Sequence, residues 1–140
     1  MKKRLWNIGM KCPNLQEEVE FNRKMGHEIV IEREAVSLGG QPQYQALVRV
    51  GDKYLVLAEK FVGLEKLLPQ ELPYGATHMS HSVDDIDAAV KTALAAGATL
   101  LHGPDEIKGA MGRRRTACFR SPGGMVFCLF QVIENRVPEV

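Results

Sequence analysis

The chain repeats one pattern of residues at a constant offset of 71 positions. The first copy covers residues 6–30 and the second covers residues 77–101, and no gap is needed to align them. The offset takes Asn7, in the first predicted strand, to His78 in the second copy. A repeat of this length, present twice, predicts a duplicated module of strand and helix, because neither copy could bury its apolar face alone.

Each copy reads as a strand, a helix and three further strands. In the first copy residues 5–12 predict a strand, Asn14 is a favourable helix N-cap, and Gly26 is expected to end the helix. Residues 39–42 read as a loop, and residues 51–52 read as the turn of a β-hairpin. The second copy repeats this order, so we expect one mixed sheet.

We expect a single domain over residues 1–140. Module one is predicted at about residues 5–60, a linker at about 61–75, and module two at about 76–133. A chain of this length can bury a core large enough to fold without a disulfide or a structural metal.

Charge and cysteine content exclude several classes of protein. The net charge of +1 predicts no broad basic surface for nucleic acid, and no apolar run approaches the length of a membrane span. The three cysteines form no CxxC pair, which fits a reducing compartment. We therefore expect a cytoplasmic protein that binds neither nucleic acid nor membrane.

The second copy also carries a recognisable combination of motifs. It joins His78 in the first strand, a helix start at residues 83–86, and an arginine-rich strand that leads into residues 121–124. This combination resembles the vicinal oxygen chelate superfamily, which includes glyoxalase I, bleomycin-resistance proteins and extradiol dioxygenases. The resemblance covers residues 5–133 and is strongest over 77–132. It implies an α+β fold of two βαβββ modules in tandem, with mixed curved sheets enclosing a cavity, and a homodimer.

Members of that superfamily that bind a metal take ligands from the first and last strands of each module. Here the first-strand positions hold Asn7 and His78. The last-strand position of module two holds Cys128, and its partner in module one is Val56 or Leu57. The resemblance implies histidine and glutamate or glutamine at such positions, so this chain departs from the usual ligand set.

The departure argues against a bound metal. One imidazole, one carboxamide and one thiol make a poor site for the divalent cations that these folds usually hold. We therefore expect no cofactor and no stoichiometric divalent metal. A divalent metal remains possible if His78 is joined by Glu59, which requires a slip in strand register.

The closing hairpin of module two predicts which of its side chains share a face. If it folds about residues 122–123, Cys128 lies opposite Ala117. Cys118 then faces the other way, so Cys118 and Cys128 are predicted not to pair. Arg115 shares the face of Ala117 and is expected at the cavity rim, where its guanidinium would bind a carboxylate or phosphate.

Alternation along the strands and the repeat together predict the lining of the cavity. His78 is the candidate catalytic residue, with a hydrogen-bonded histidine at the edge of the core as the alternative interpretation. The predicted ligand-binding residues are Asn7, Tyr54, Val56, Ser80, Arg115, Cys128 and Phe130.

Two functions fit these residues. The first is binding of a small organic molecule, anionic or aromatic, by a member of the glyoxalase and bleomycin-resistance fold whose metal site is degenerate. The alternative is a metal-dependent lyase or dioxygenase of the glyoxalase type that uses His78. The ligand positions favour the first, and the resemblance of the second copy to catalytic members supports the second.

Overall fold

A computed structural model of the protein describes residues 1–38 and 41–139, apart from the Leu38 side chain. The elements in chain order are β1 (Lys3–Lys11), α1 (Leu15–Lys24), β2 (Glu28–Leu38), β3 (Gln41–Val50), β4 (Lys53–Ala58), α2 (Val62–Glu65), β5 (Gly75–Val83), α3 (Ile86–Ala95), β6 (Thr99–Gly109), β7 (Gly112–Arg120) and β8 (Val126–Asn135).

The strands form one eight-stranded mixed sheet in the order β2-β3-β4-β1-β5-β8-β7-β6. In each half the first strand runs parallel to the last one, β1 with β4 and β5 with β8. The two halves meet where β1 and β5 pair in antiparallel orientation at the centre. The predicted α+β fold of two βαβββ modules is confirmed.

The strand register shows how closely the two halves correspond. Gly9 pairs with Val56 across β1 and β4, and Ser80 pairs with Cys128 across β5 and β8. Since the offset of 71 takes Gly9 to Ser80, Val56 is the counterpart of Cys128. Val56, and not Leu57, therefore occupies the last-strand position of module one.

Each long helix begins at a side-chain cap and covers the outer face of its own half-sheet. The Asn14 side chain accepts a hydrogen bond from the Glu17 N–H at 3.0 Å, and Asp85 accepts one from the Ala88 N–H at 3.1 Å. Helix α1 lies against β2, β3 and β4, and α3 lies against β6, β7 and β8. The helices leave the inner face of the sheet free to enclose a cavity.

The two edges of the sheet approach each other and close that cavity. Strands β2 and β6, at opposite ends of the strand order, are in contact. The Glu34 carboxylate on β2 accepts a hydrogen bond from the Ala110 N–H at 2.7 Å. Gly109 permits this approach, because a Cβ there would lie 3.0 Å from both the Glu34 carboxylate and the Val36 side chain.

The segment between the modules is fastened to the sheet by a buried ion pair. Lys11 on β1 pairs with Glu65 on α2, and the Lys11 ammonium also donates a hydrogen bond to the Leu72 carbonyl at 2.8 Å. This pairing holds α2 over one end of the cavity. Within the described residues, no helix is long and apolar enough to cross a membrane.

One predicted loop is corrected. Residues 41–42, predicted as loop, belong to β3 and pair with β2. Gln41 pairs with Leu38, and Pro42 pairs with Ser37, so both residues extend the ladder. The other two residues of that predicted loop, 39–40, lie outside the described residues.

Candidate functional site

The inner face of the curved sheet lines a cavity of about 100 Å³. Apolar side chains make up much of its wall, including Trp6, Phe61 and Phe130. Among the described residues, eight polar side chains line it as well. They are Asn7, Gln43, Gln45, His78, Ser80, His102, Arg114 and Thr116. A mostly apolar cavity with a few converging polar groups is the usual form of a small-molecule site.

Strand register brings these residues together from distant parts of the chain. One row of paired positions runs across the sheet from β1 to β6, and every residue in it lines the cavity. In strand order the row consists of Asn7, Ser80, Cys128, Cys118 and His102. Residues two positions apart on one strand share a face, so His78 lies on the cavity side of β5 with Ser80.

The hydrogen bonds of His78 define its tautomer. Its Nδ1 lies 2.9 Å from the Thr77 hydroxyl oxygen, and that hydroxyl donates its one proton to the Gly9 carbonyl at 3.1 Å. The Thr77 oxygen must therefore accept from His78, which places a proton on Nδ1. The remaining nitrogen, Nε2, carries a lone pair and forms no hydrogen bond with the described residues.

Burial keeps this imidazole neutral. Desolvation lowers the pKa of His78 from 6.5 to about 4. The Phe61 ring packs edge-on against it at a centroid distance of 4.9 Å, and Gly9 lies beneath it. Any side chain at Gly9 would overlap the His78 ring. His78 is thus a fixed, neutral hydrogen-bond acceptor near pH 7.

Arg114 supplies the cationic group of the cavity. Its side chain is 4% exposed and lies over the rings of Trp6 and Phe130, at 5.1 Å and 5.8 Å from their centroids. The guanidinium donates to the Met111 carbonyl at 2.7 Å and to the Asn135 side-chain oxygen at 3.1 Å. Its Nε has no partner, and no carboxylate of the described residues pairs with it. Burial lowers the pKa of Arg114, although a guanidinium stays protonated in proteins.

Six of the eight residues predicted from the sequence lie in the cavity lining. They are Asn7, Val56, His78, Ser80, Cys128 and Phe130. The side chains of Asn7 and Ser80 form no hydrogen bond with the described residues, so both can bind a ligand.

Tyr54 lies behind the lining and does not form part of it. It is fully buried, and its ring packs against Trp6 at a centroid distance of 4.5 Å. Its hydroxyl donates to the Pro138 carbonyl at 2.6 Å. The predicted ligand contact is therefore corrected to a supporting role, because Trp6 takes the inward position in front of Tyr54.

Arg115 faces away from the cavity, contrary to the prediction. Its guanidinium pairs with Asp87 of α3 at 3.2 Å on the outer side of the sheet. The cause is the register of the closing hairpin, in which Cys128 pairs with Cys118 and not with Ala117. This one-residue difference exchanges the two faces of β7 and places Arg114 inside.

The same register brings two cysteines together on the cavity wall. Cys118 and Cys128 form a disulfide between neighbouring strands, with Cα atoms 4.1 Å apart. The prediction that they face opposite sides and do not pair is wrong. The free cysteine, Cys12, is buried, and burial raises its pKa to about 11, so it is unsuited to act as a nucleophile.

A family model, the glyoxalase-like domain, matches residues 7–130. The chain belongs to the glyoxalase-like domain family. The predicted membership of the vicinal oxygen chelate superfamily is thereby confirmed. No curated protein sequence gave a significant match.

Solved structures share the fold of this glyoxalase-like protein at low sequence identity. A hypothetical protein from Bacillus halodurans C-125 is 16% identical, with a TM-score of 0.71 over 96% of this chain and 98% of that one. A variant of Streptomyces coelicolor methylmalonyl-CoA epimerase, in complex with 2-nitronate-propionyl-CoA, is 23% identical, with a TM-score of 0.69 over 94% and 98%. Methylmalonyl-CoA epimerase from Mycobacterium tuberculosis is 18% identical, with a TM-score of 0.67 over 93% and 88%. At these identities the likeness shows the fold alone.

The superfamily implies a divalent metal, but the residues at its ligand positions do not fit one. Asn7, Val56, His78 and Cys128 offer one imidazole, one carboxamide, an apolar side chain and a sulfur engaged in a disulfide. Nowhere in the described parts of the chain do three histidine, cysteine or acidic side chains group so as to hold a metal ion. A stable site would need at least one more charged or imidazole ligand.

Glu59, the fallback ligand considered with His78, lies outside the cavity. Its carboxylate accepts a hydrogen bond from the Leu15 N–H at 2.9 Å, at the N-terminus of α1. Glu59 directly follows the end of β4, and its hydrogen bond to α1 holds it on the helix side of the sheet. The proposed pairing of His78 with Glu59 is therefore corrected.

Several lining residues were missed from the sequence, and the repeat could have revealed some of them. The offset of 71 takes Gln43 to Arg114 and Gln45 to Thr116. All four line the cavity, so recognising one member of each pair as a lining residue would have identified its counterpart. His102 was also missed; its strand pairing with Cys118 places it in the lining.

Proposed function

We propose that the protein binds a small organic anion in this cavity, with the anionic group on Arg114 and without a resident divalent metal. The observation that carries the proposal is the state of Arg114. It is a buried guanidinium with no carboxylate partner among the described residues.

A buried charge without a counter-charge is costly, and a bound anion would remove much of that cost. The faces of Trp6 and Phe130 hold the guanidinium in place, so little side-chain freedom is lost when an anion binds. A carboxylate is the simplest anion that a planar guanidinium recognises. The apolar wall supports a planar or aromatic body on that carboxylate.

The size of the cavity supports a small ligand. Its volume of about 100 Å³ suits a small organic acid. A short carboxylic acid or the acyl part of a larger molecule meets this limit. His78 would accept a hydrogen bond from such a ligand through Nε2, or remove a proton from it if the protein is an enzyme.

Arg114→Met is the variant that tests the proposal. We expect it to weaken binding of benzoate or butanoate roughly 100-fold in calorimetry, because a buried charge partner is removed. Binding of nitrobenzene and 1-nitropropane, neutral compounds of similar shape, should change little. Arg115→Ala is the matched control, since the neighbouring arginine lies on the outer face. Equal loss for acids and nitro compounds, or no binding of any acid to the unaltered protein, would refute the proposal.

The second candidate is a metal-dependent lyase or dioxygenase of the glyoxalase type that uses His78. Two observations favour it: the free lone pair on His78 Nε2, and the likeness in fold to methylmalonyl-CoA epimerases. Elemental analysis of protein purified without chelator separates the two candidates. Stoichiometric metal that is lost in His78→Gln would support the enzyme, and metal-free protein that binds carboxylates would support the first proposal.

The proposal also covers the domain organisation and the oligomeric state. We infer a cytoplasmic homodimer in which residues 1–140 form one domain, with modules at about 5–60 and 76–133 and a linker between them. It is expected to bind neither nucleic acid nor membrane. Sedimentation equilibrium tests the dimer, and a monomer at all concentrations would refute it. A single cooperative unfolding transition tests the domain.

A further inference from the structure

A second polar group lies in the cavity, on β3 of module one. The side chains of Gln43 and Gln45 are 3% and 5% exposed, and both line the cavity. They bond to each other, with the Gln43 amide nitrogen 3.1 Å from the Gln45 side-chain oxygen. The Gln43 oxygen has no partner. Buried carboxamides are costly unless their donors and acceptors are satisfied.

The hydrogen-bonding capacity of this pair does not depend on how the two amides are oriented. One bond between them uses one carbonyl oxygen and one N–H. If both amides are turned over, the roles exchange, but one oxygen and one NH₂ group remain unpaired. The pair of Gln43 and Gln45 therefore always offers a free acceptor together with free donors.

The repeat fixes where this pair lies relative to Arg114. Gln43 is the counterpart of Arg114, and Gln45 is the counterpart of Thr116. Strand β3 is second from one end of the sheet, and β7 is second from the other. The curved sheet thus presents the amide pair on one side of the cavity and the guanidinium on the other.

A ligand that satisfies both groups must carry two different ends. The guanidinium matches a carboxylate, whereas the glutamine pair matches a group that both donates and accepts. A primary or secondary amide has this property. A second carboxylate does not, because it offers no donor to the free glutamine oxygen, and the cavity-lining residues of β3 include no cation.

We propose that the ligand is a small amide-bearing carboxylic acid, with its carboxylate on Arg114 and its amide on the pair of Gln43 and Gln45. This inference rests on the proposed function, since it takes the binding of an anion by Arg114 as given. It adds a chemical class to the ligand and a second subsite to the cavity.

A series of simple acids tests the inference in calorimetry. Succinamate, succinate and butanoate have the same number of backbone carbons and differ in the far end, which is an amide, a carboxylate or a methyl group. Oxamate, malonamate and glutaramate vary the distance between amide and acid. We expect at least one amide acid to bind roughly 10-fold tighter than butanoate, and succinate to bind no tighter than butanoate.

Gln43→Leu assigns the gain to the glutamine pair. It should abolish the preference for the amide acid over butanoate, measured as the ratio of the two affinities in the same protein. Gln16→Leu, on the exposed side of α1, is the control for replacing a glutamine. If Gln43→Leu does not fold, Gln45→Met provides the same comparison, and the ligand series on the unaltered protein stands by itself.

The outcomes distinguish the two proposals. If butanoate and benzoate bind but no amide acid binds more tightly, the second subsite is refuted and the anion site stands. If an amide acid binds more tightly and Gln43→Leu leaves that gain intact, the assignment to the glutamine pair is refuted. If no carboxylate binds at all, both proposals fail.

Discussion

The two halves of the cavity wall have the same backbone arrangement and different chemistry. In module one the inward positions of β3 hold Gln43 and Gln45, and in module two the equivalent positions of β7 hold Arg114 and Thr116. One half is neutral and offers both donors and acceptors, whereas the other carries a buried positive charge. The duplicated fold places two walls face to face, and the differences between the copies give the mostly apolar cavity a neutral polar group on one wall and a cation on the other.

The first strands show the same divergence. Asn7 on β1 and His78 on β5 occupy equivalent positions and both line the cavity. Only His78 titrates, and only His78 is held by a hydrogen bond that it donates to a neighbouring hydroxyl. Equivalent geometry therefore does not imply equivalent chemistry, and variants that make the two copies alike test what each difference contributes.

The largest expected effect comes from making His78 resemble Asn7. Since the pKa of His78 is lowered from 6.5 to about 4 in the folded protein, the unfolded chain binds a proton first as the pH falls. The stability that neutral His78 contributes is complete above pH 6.5 and is lost progressively between pH 6.5 and pH 4. The loss is about 3 kcal/mol of unfolding free energy. His78→Asn should remove this loss of stability at low pH, as measured by urea unfolding across that pH range.

The comparison with His78→Asn isolates this effect from other groups. Burial also lowers the pKa of His81, but His81 is present in both proteins and cancels in the difference. A constant difference in stability from pH 7 to pH 4 would show that His78 is not held neutral by burial.

A smaller effect is expected from making Gly9 resemble its counterpart Ser80. A side chain at Gly9 would overlap the His78 ring, which is held by Phe61 and Thr77 and cannot move freely. Gly9→Ser should therefore cost about 2 kcal/mol of unfolding free energy, as overpacking commonly does. Thermal unfolding measures the cost.

Two further variants control for Gly9→Ser. Ser80→Gly, the reverse change at the equivalent position, should cost less than 1 kcal/mol or so, because it removes only a small side chain from a strand. In a His78→Ala background the penalty of Gly9→Ser should disappear. A penalty that persists there would mean that His78 does not cause it.

The sequence predicted the fold well because the repeat constrains it at many points. The offset of 71 aligned Asn7 with His78, and Asn14 and Asp85 both cap helices as their local patterns require. The cavity residues of β5 followed from simple alternation, since His78 and Ser80 lie in a strand without a bulge between them. These features follow from the repeat and from local sequence.

The errors arose where strand pairing depends on geometry that local sequence does not specify. The hairpin turn after β7 shifts the register by one residue relative to the predicted turn, which exchanged Arg114 with Arg115. An irregularity in β1 between Leu5 and Asn7 lets Trp6 as well as Asn7 contact the cavity. A single residue in a turn or bulge decides which face a side chain occupies, and the alternation of the strand does not reveal it.

The smallest expected effect tests the corrected orientation of Arg115. Arg115 is partly exposed and pairs with Asp87 on the surface, where ion pairs contribute little. Arg115→Ala should therefore lower the unfolding free energy by about 0.5 kcal/mol or less. It should also leave the affinity for benzoate unchanged, while Arg114→Met abolishes tight binding. Arg114 and Arg115 are adjacent, so each variant removes one positive charge from the same part of the chain. The two residues occupy opposite faces of β7. If Arg115→Ala impaired benzoate binding and Arg114→Met did not, the register of the closing hairpin would be the predicted one, with Cys128 opposite Ala117.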